Sequence, residues 1–112
     1  MNSLAYIGAG VSIVAGVLGF FWPQQVSKTI GLGLPSQLAI SEFRATYGGL
    51  FIGAGLAVWI IGSSDAAKVL GVAWAGAFVA RAVSVVIDRS RSKENIGGLV
   101  IEAAVAASLI LG

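Results

Sequence analysis

The chain lacks the side chains on which most enzyme active sites depend. Its 112 residues include neither cysteine nor histidine. The absence of cysteine excludes disulfides, thiolate nucleophiles and cysteine-ligated zinc or iron–sulfur centres. The absence of histidine removes the imidazole that holds haem or acts as a base near neutral pH. We therefore expect neither a metal site nor an enzyme that works alone.

Charged residues are also scarce. Only 11% of the residues are charged, while 57% are hydrophobic, and the mean hydropathy is +0.93. A soluble domain needs roughly a quarter of its residues charged to cover its surface. The net charge of +2 is too small to indicate nucleic-acid binding. The composition therefore predicts an integral membrane protein.

Four apolar segments are long enough to cross a membrane. They cover about residues 4–22, 43–62, 66–87 and 96–111. At about 1.5 Å per residue each reaches across a hydrocarbon core of about 30 Å, the last one barely. A backbone inside lipid must satisfy its own hydrogen bonds, so the segments are predicted helices. Only "SSD" joins the second to the third, which makes these two antiparallel. The predicted fold is all-α, a single domain over residues 1–112 that forms an integral membrane four-helix antiparallel bundle.

The distribution of basic residues predicts an orientation. Four spans place both termini on one side, and we expect the first span to be retained because "MNSLAYIGAG" lacks a basic start. The opposite loops, 23–42 and 88–95, carry most of the basic residues: Lys28, Arg89, Arg91 and Lys93. The positive-inside rule then predicts cytoplasmic loops and external termini. Within the first loop, "PQQVSKTI" is predicted to form a short helix on the membrane surface, with Pro23 in its first turn.

Two opposite charges lie well inside the predicted spans, away from their ends. Glu102 and Arg81 each lie about 9 Å from the cytoplasmic end of their helix. A single charge at a helix centre costs roughly 2.5–3.5 kcal/mol on insertion scales. Because the third and fourth spans are neighbours, we predict that Arg81 pairs with Glu102.

Further polar residues gather at the same level of the membrane. Ser84 and Asp88 share a helical face with Arg81, and Glu42 is expected to meet the ion pair inside the bundle. Arg44 is expected to extend towards lipid phosphates. The predicted polar centre, structural or ligand-binding, therefore consists of Glu42, Arg44, Tyr47, Arg81, Ser84, Asp88 and Glu102.

Small residues recur at intervals of four. This spacing allows close helix contacts in lipid, either within the bundle or in an oligomer. Packing within the bundle accounts for most of them, and a spare small-residue face on the first or fourth span would serve assembly. The predicted packing or assembly positions are Gly8, Ser12, Gly16, Gly49 and Gly53.

A stretch of the second span resembles a known family. "SEFRATYGGLFIGAGL" (41–56), "ARAVSVVID" (80–88) and the glutamate of the last span are similar to the small bacterial DoxX/DoxD-like membrane proteins. The signature is E-x-R-A-x-Y-G-G, carried here by Glu42, Arg44, Ala45, Tyr47, Gly48 and Gly49. The resemblance covers the whole chain and implies a four-helix protein of a bacterial inner membrane with these polar positions at its centre. Some relatives are small subunits associated with thiosulfate:quinone oxidoreduction, so the chain is expected to be at most a subunit of such a redox complex.

Two functions are compatible with this pattern. The first is a non-catalytic accessory subunit or self-assembling bundle, in which the ion pair only fixes helix packing. The second is a binder or carrier of a quinone or lipid at the polar centre. The expected partners are membrane lipids and either other membrane subunits or further copies, with no nucleic acid and no cofactor beyond a bound lipid or quinone. An ion pathway ranks last, because the outer half of the spans has almost no polar groups.

Overall fold

The computed structural model describes all 112 residues as helices joined by short connections. In chain order these are α1 (Ser3–Phe21), α2 (Pro23–Thr29), α3 (Gln37–Phe43), a π segment (Arg44–Leu50), α4 (Phe51–Ile61), α5 (Ser64–Ile87) and α6 (Lys93–Leu111). The run from α3 through the π segment to α4 is unbroken. This run, α1, α5 and α6 are each long and apolar enough to cross a membrane. The predicted all-α four-helix membrane bundle is confirmed.

The helices begin and end at polar residues and glycine. Ser36 caps α3 by accepting a hydrogen bond from the Ala39 amide at 3.0 Å. At the end of α4, Gly62 adopts a left-handed conformation with φ of +69°, which favours glycine because it has no Cβ. The resulting short turn reverses the chain between α4 and α5, as predicted. Pro23 begins α2, so the short helix predicted in the first loop is also present.

Three spans begin two or more residues earlier than predicted. The second starts at Gln37 instead of residue 43, the third at Ser64 instead of 66, and the fourth at Lys93 instead of 96. Hydropathy locates only the apolar part of a helix. The polar first turns belong to the helices because serine side chains cap them.

Both termini lie at the same end of the molecule. The Asn2 amide donates to the Gly112 carbonyl at 3.0 Å, as an even number of spans requires. Tyr6 and Trp59 pack edge to face at this end, with ring centroids 4.7 Å apart. The buried hydrophobic core also lies in this half: Ala5, Ala9, Val58, Ala67, Leu70, Val105 and Leu109. The half that contains the termini is therefore tightly closed.

The opposite half is open on one side. α1 packs against the π segment and α4 on one flank and against α6 on the other, and α5 packs along α6. Contact between α4 and α5 is small by comparison. The Cα atoms consequently span 39 × 31 × 16 Å, a flat arrangement. A cleft remains between α5 and the π segment.

Candidate functional site

The cleft has a volume of about 390 Å³ and lies in the half of the molecule that contains the loops. Tyr47 and Phe51 line it from the second span, and Trp74 and Arg81 from α5. α6 forms the back of the cleft with Glu102 and its neighbours, while α2 and the loop after it cover the outer end. The lining combines aromatic surface with one pair of charged side chains.

Arg81 and Glu102 form a two-pronged ion pair, so the predicted contact is present. Arg81 Nε lies 2.7 Å from Glu102 Oε1, and Arg81 Nη2 lies 2.8 Å from Oε2. Only 8% of the Glu102 side chain is exposed, against 33% for Arg81. The carboxylate is therefore enclosed in the bundle, while part of the guanidinium faces the cleft.

Asn95 is a third member of this cluster, which the sequence reasoning missed. Arg81 Nη1 donates to Asn95 Oδ1 at 2.9 Å, and Asn95 Nδ2 donates to the Ser90 carbonyl at 2.7 Å. Asn95 thereby connects the loop between α5 and α6 to the ion pair. Its position seven residues before Glu102, on the same helical face, was the available signal.

Gly98 provides the surface on which the guanidinium lies. A Cβ atom at this position would be 2.8 Å from Arg81 Cζ and 2.9 Å from Nε, so a side chain here would force the guanidinium to shift. At the neighbouring Gly97 a Cβ atom would meet nothing within 4 Å. The close approach of α5 to α6 at the ion pair therefore depends on Gly98. Its spacing of four residues from Glu102 places the two on one face.

Glu42 does not join the polar centre, and that prediction was wrong. Glu42 is exposed on α3 and makes no hydrogen bond or ion pair. The inward position of α3 belongs to Phe43, which is 4% exposed, and the next residue on an α-helix points about 100° away. α3 packs on α2 and the π segment, not on α5 or α6.

Of the other four predicted polar residues, only one lines the cleft. Tyr47 lines the cleft and stacks on Phe43 with ring centroids 4.6 Å apart. Arg44 lies outside it, with its guanidinium 5.6 Å from the centre of the Phe20 ring. Ser84 donates to Asp88 at 2.6 Å within α5. Because these last three residues neither line the cleft nor bond to the ion pair, the polar centre is smaller than predicted.

The small residues of α1 predicted for packing or assembly face the interior, so they serve contacts within the bundle. Ser12 Oγ donates to the Phe51 carbonyl at 3.0 Å, and a Cβ at Gly16 would be 2.7 Å from the Gly48 carbonyl oxygen. Gly8 is buried against Leu109 of α6. By contrast Gly49 and Gly53 are exposed, and a Cβ at Gly53 would meet nothing within 4 Å.

Comparison with known proteins gives a family and no activity. No curated protein and no solved structure matches the chain. One family model, described as a domain of unknown function (DUF4345), matches residues 2–112. The match does not name the DoxX/DoxD-like proteins. Because it covers almost the entire chain, the protein belongs to the DUF4345 family.

Proposed function

We propose that the protein binds one amphipathic small molecule, a lipid or a quinone, in the cleft. The polar head would lie at the Arg81–Glu102 pair, and the apolar chain would contact Phe51, Trp74 and Ile101, which line the same space. The observation that carries the proposal is the ion pair itself, because it lies on the wall of an aromatic cleft.

An ion pair that served only to fix packing would be expected to be enclosed by its helices on every side. Here 33% of the Arg81 side chain is exposed, and the cleft beside it measures about 390 Å³. Small-molecule sites typically measure about 300–1,000 Å³ and combine apolar lining with a few polar groups. Ionisable residues that face a cavity within a membrane are usually functional.

The guanidinium also retains hydrogen-bonding capacity. Arg carries five N–H donors, and three of them bond to Glu102 and Asn95. The remaining two lie one each on Nη1 and Nη2. They are available to an oxygen atom of a ligand head group in the cleft.

The proposal is tested by filling the cleft without touching the ion pair. Gly97 lines the cleft and has free space around it, so Gly97→Leu should occupy ligand volume. Gly53→Leu is the matched control, because Gly53 also has free space but lies outside the cleft. Each protein would be extracted gently from native membranes and weighed by native mass spectrometry together with its bound molecules. We expect wild type and Gly53→Leu to carry one lipid or quinone that Gly97→Leu has lost.

Equal retention by both variants, or no stoichiometric small molecule on wild type, would contradict a binding role. Co-purification with larger subunits in fixed ratio would instead support an accessory subunit, which is the competing hypothesis. The exposed Gly49 and Gly53 favour that hypothesis, because they leave one small-residue face free for a partner helix. We also propose that the protein is related to the DoxX/DoxD-like proteins and lies in a bacterial inner membrane.

A further inference from the structure

We propose that the head group taken by the cleft is uncharged, bearing carbonyl or hydroxyl oxygens, and that Glu102 is the residue that excludes anions. This inference rests on the proposed function, since it concerns the chemistry of the same ligand. It follows from which atoms of Arg81 are already occupied and from the charges around the cleft.

One bidentate edge of Arg81 is already in use, and the charge of the guanidinium is already balanced. Phosphates and carboxylates bind a guanidinium through two parallel N–H groups. In this protein Glu102 takes Nε and Nη2 in that manner, at 2.7 and 2.8 Å. An anionic head group could reach only the remaining N–H groups of Nη1 and Nη2, beside a carboxylate that is only 8% exposed and already balances the positive charge. The head group would therefore bring an uncompensated negative charge into the cleft, which is unfavourable away from water.

The charges that line the cleft also oppose an anion. Arg81 supplies one positive charge, whereas Glu102 and Glu94 supply two negative charges, so the lining has a formal charge of 1 − 2 = −1. Glu94 lies at the outer end, beside the loop residue Gly31, where a Cβ would be 3.6 Å from Glu94 Cβ. Arg44, near the same end of the molecule, lies over Phe20 and does not line the cleft.

A neutral oxygen, in contrast, finds suitable partners. The free N–H groups on Nη1 and Nη2 can donate to a carbonyl or hydroxyl oxygen without disturbing Glu102. Tyr47 also lines the cleft, and its phenolic hydroxyl can donate or accept a hydrogen bond. One or two oxygen atoms on an uncharged head group, such as a quinone or a long-chain alcohol, would form hydrogen bonds with the Arg81 N–H groups and the Tyr47 hydroxyl.

Tryptophan fluorescence can measure this preference directly. Trp74 lines the cleft and Trp22 and Trp59 do not, so Trp22→Phe combined with Trp59→Phe leaves Trp74 as the reporter. The protein would be placed in bilayer discs of neutral phosphatidylcholine and titrated with chains that carry a terminal bromine, which quenches tryptophan on contact. The probes are 11-bromoundecanol, its phosphate ester and its trimethylammonium analogue. Gly97→Leu in the same background gives the quenching due to lipid partitioning alone.

We expect the alcohol to quench Trp74 at a membrane mole fraction at least about tenfold lower than the phosphate, which corresponds to about 1.4 kcal/mol. Glu102→Gln should reverse the order, because it removes the negative charge that balances the guanidinium. Glu42→Gln, which removes the same charge from an exposed position outside the cleft, should leave the order unchanged.

The inference would be overturned, with a ligand site still in place, if the phosphate or the ammonium probe quenched the wild-type background beyond the Gly97→Leu level at the same mole fraction as the alcohol or a lower one. Quenching by all three probes equal to that of Gly97→Leu would instead overturn the proposed function. If Glu102→Gln does not fold, the order of alcohol and phosphate in the wild-type background still decides the question.

Discussion

Short contacts hold the Arg81 guanidinium on the sides that face away from the cleft. Glu102 and Asn95 accept three hydrogen bonds from it, and the Gly98 backbone lies directly against its carbon atom. Bidentate pairs of this kind are stronger than single hydrogen bonds and hold the side chain in one orientation. The two unused N–H groups therefore have a defined direction, which a specific binding site requires.

Replacing Gly98 should release this arrangement. In Gly98→Ala the added carbon would lie 2.8 Å from Arg81 Cζ, so the guanidinium must move away from Glu102. We expect the free energy of unfolding to fall by about 1–3 kcal/mol, as for other overpacked positions. Gly97→Ala is the control, because it adds the same atom one residue away where nothing lies within 4 Å. It should be neutral or stabilise the helix by about 0.5–1 kcal/mol.

Unfolding by sodium dodecyl sulfate in mixed micelles, followed by circular dichroism, would give both values. Equal stabilities for the two variants would show that the contact between Gly98 and Arg81 contributes nothing.

The second span differs from the other three because a π segment interrupts it. This wider turn begins at Arg44 and ends at Leu50, within the stretch that carries the E-x-R-A-x-Y-G-G signature. It packs against the small residues of α1: a Cβ at Gly19 would be 2.5 Å from the Tyr47 carbonyl oxygen. π-helical turns are rare and frequently lie at functional sites. Here Tyr47 belongs to the π segment and also lines the cleft.

The contact between α1 and the second span should be sensitive to a single carbon atom. In Gly16→Ala the added atom would meet backbone, namely the Gly48 carbonyl oxygen at 2.7 Å and the Ile52 amide nitrogen at 2.8 Å. Because neither can rotate away, we expect a loss of about 1–3 kcal/mol in the free energy of unfolding. Gly10→Ala, on the same helix with nothing within 4 Å, should cause no loss.

The same comparison separates folding from assembly. If Gly16 served an oligomer instead, Gly16→Ala would change the mass of the detergent-solubilised particle and leave its unfolding unaltered.

The whole protein is closed at one end and open at the other. The termini are hydrogen-bonded to each other beside the hydrophobic core, whereas the cleft lies in the half with the longer loops. A ligand therefore has access through the side of the bundle between α5 and the π segment. The predicted orientation would place this half at the cytoplasmic face of the membrane.

The orientation can be measured without background labelling, because the chain has no cysteine. Gln24→Cys places a thiol in the first long loop, and Asp65→Cys places one in the turn region near the termini; both positions are exposed. The positive-inside rule predicts cytoplasmic loops. A membrane-impermeant maleimide applied to intact cells should therefore label the Asp65→Cys variant and spare the Gln24→Cys variant until the cells are opened. The reverse pattern would place the cleft in the outer half of the membrane.

Several features could be read from the sequence because they depend on local or neighbouring residues. Long apolar runs predict membrane helices, and the short turn at Gly62 and Ser63 requires antiparallel neighbours. The cost of an unpaired charge in lipid made Arg81 and Glu102 obvious partners, since only a short loop separates their helices.

The arrangement around that pair depends instead on which faces meet. In a membrane helix the buried and lipid-facing sides are both apolar, so hydrophobic periodicity does not distinguish them. For this reason the pattern placed Glu42 at the centre, and it did not reveal Asn95 or the role of Gly98. The four membrane spans and their one ion pair follow from the solubility of each segment in lipid. The cleft beside that pair exists because close backbone contacts draw α1 to the second span and α5 to α6, leaving α5 and the π segment apart.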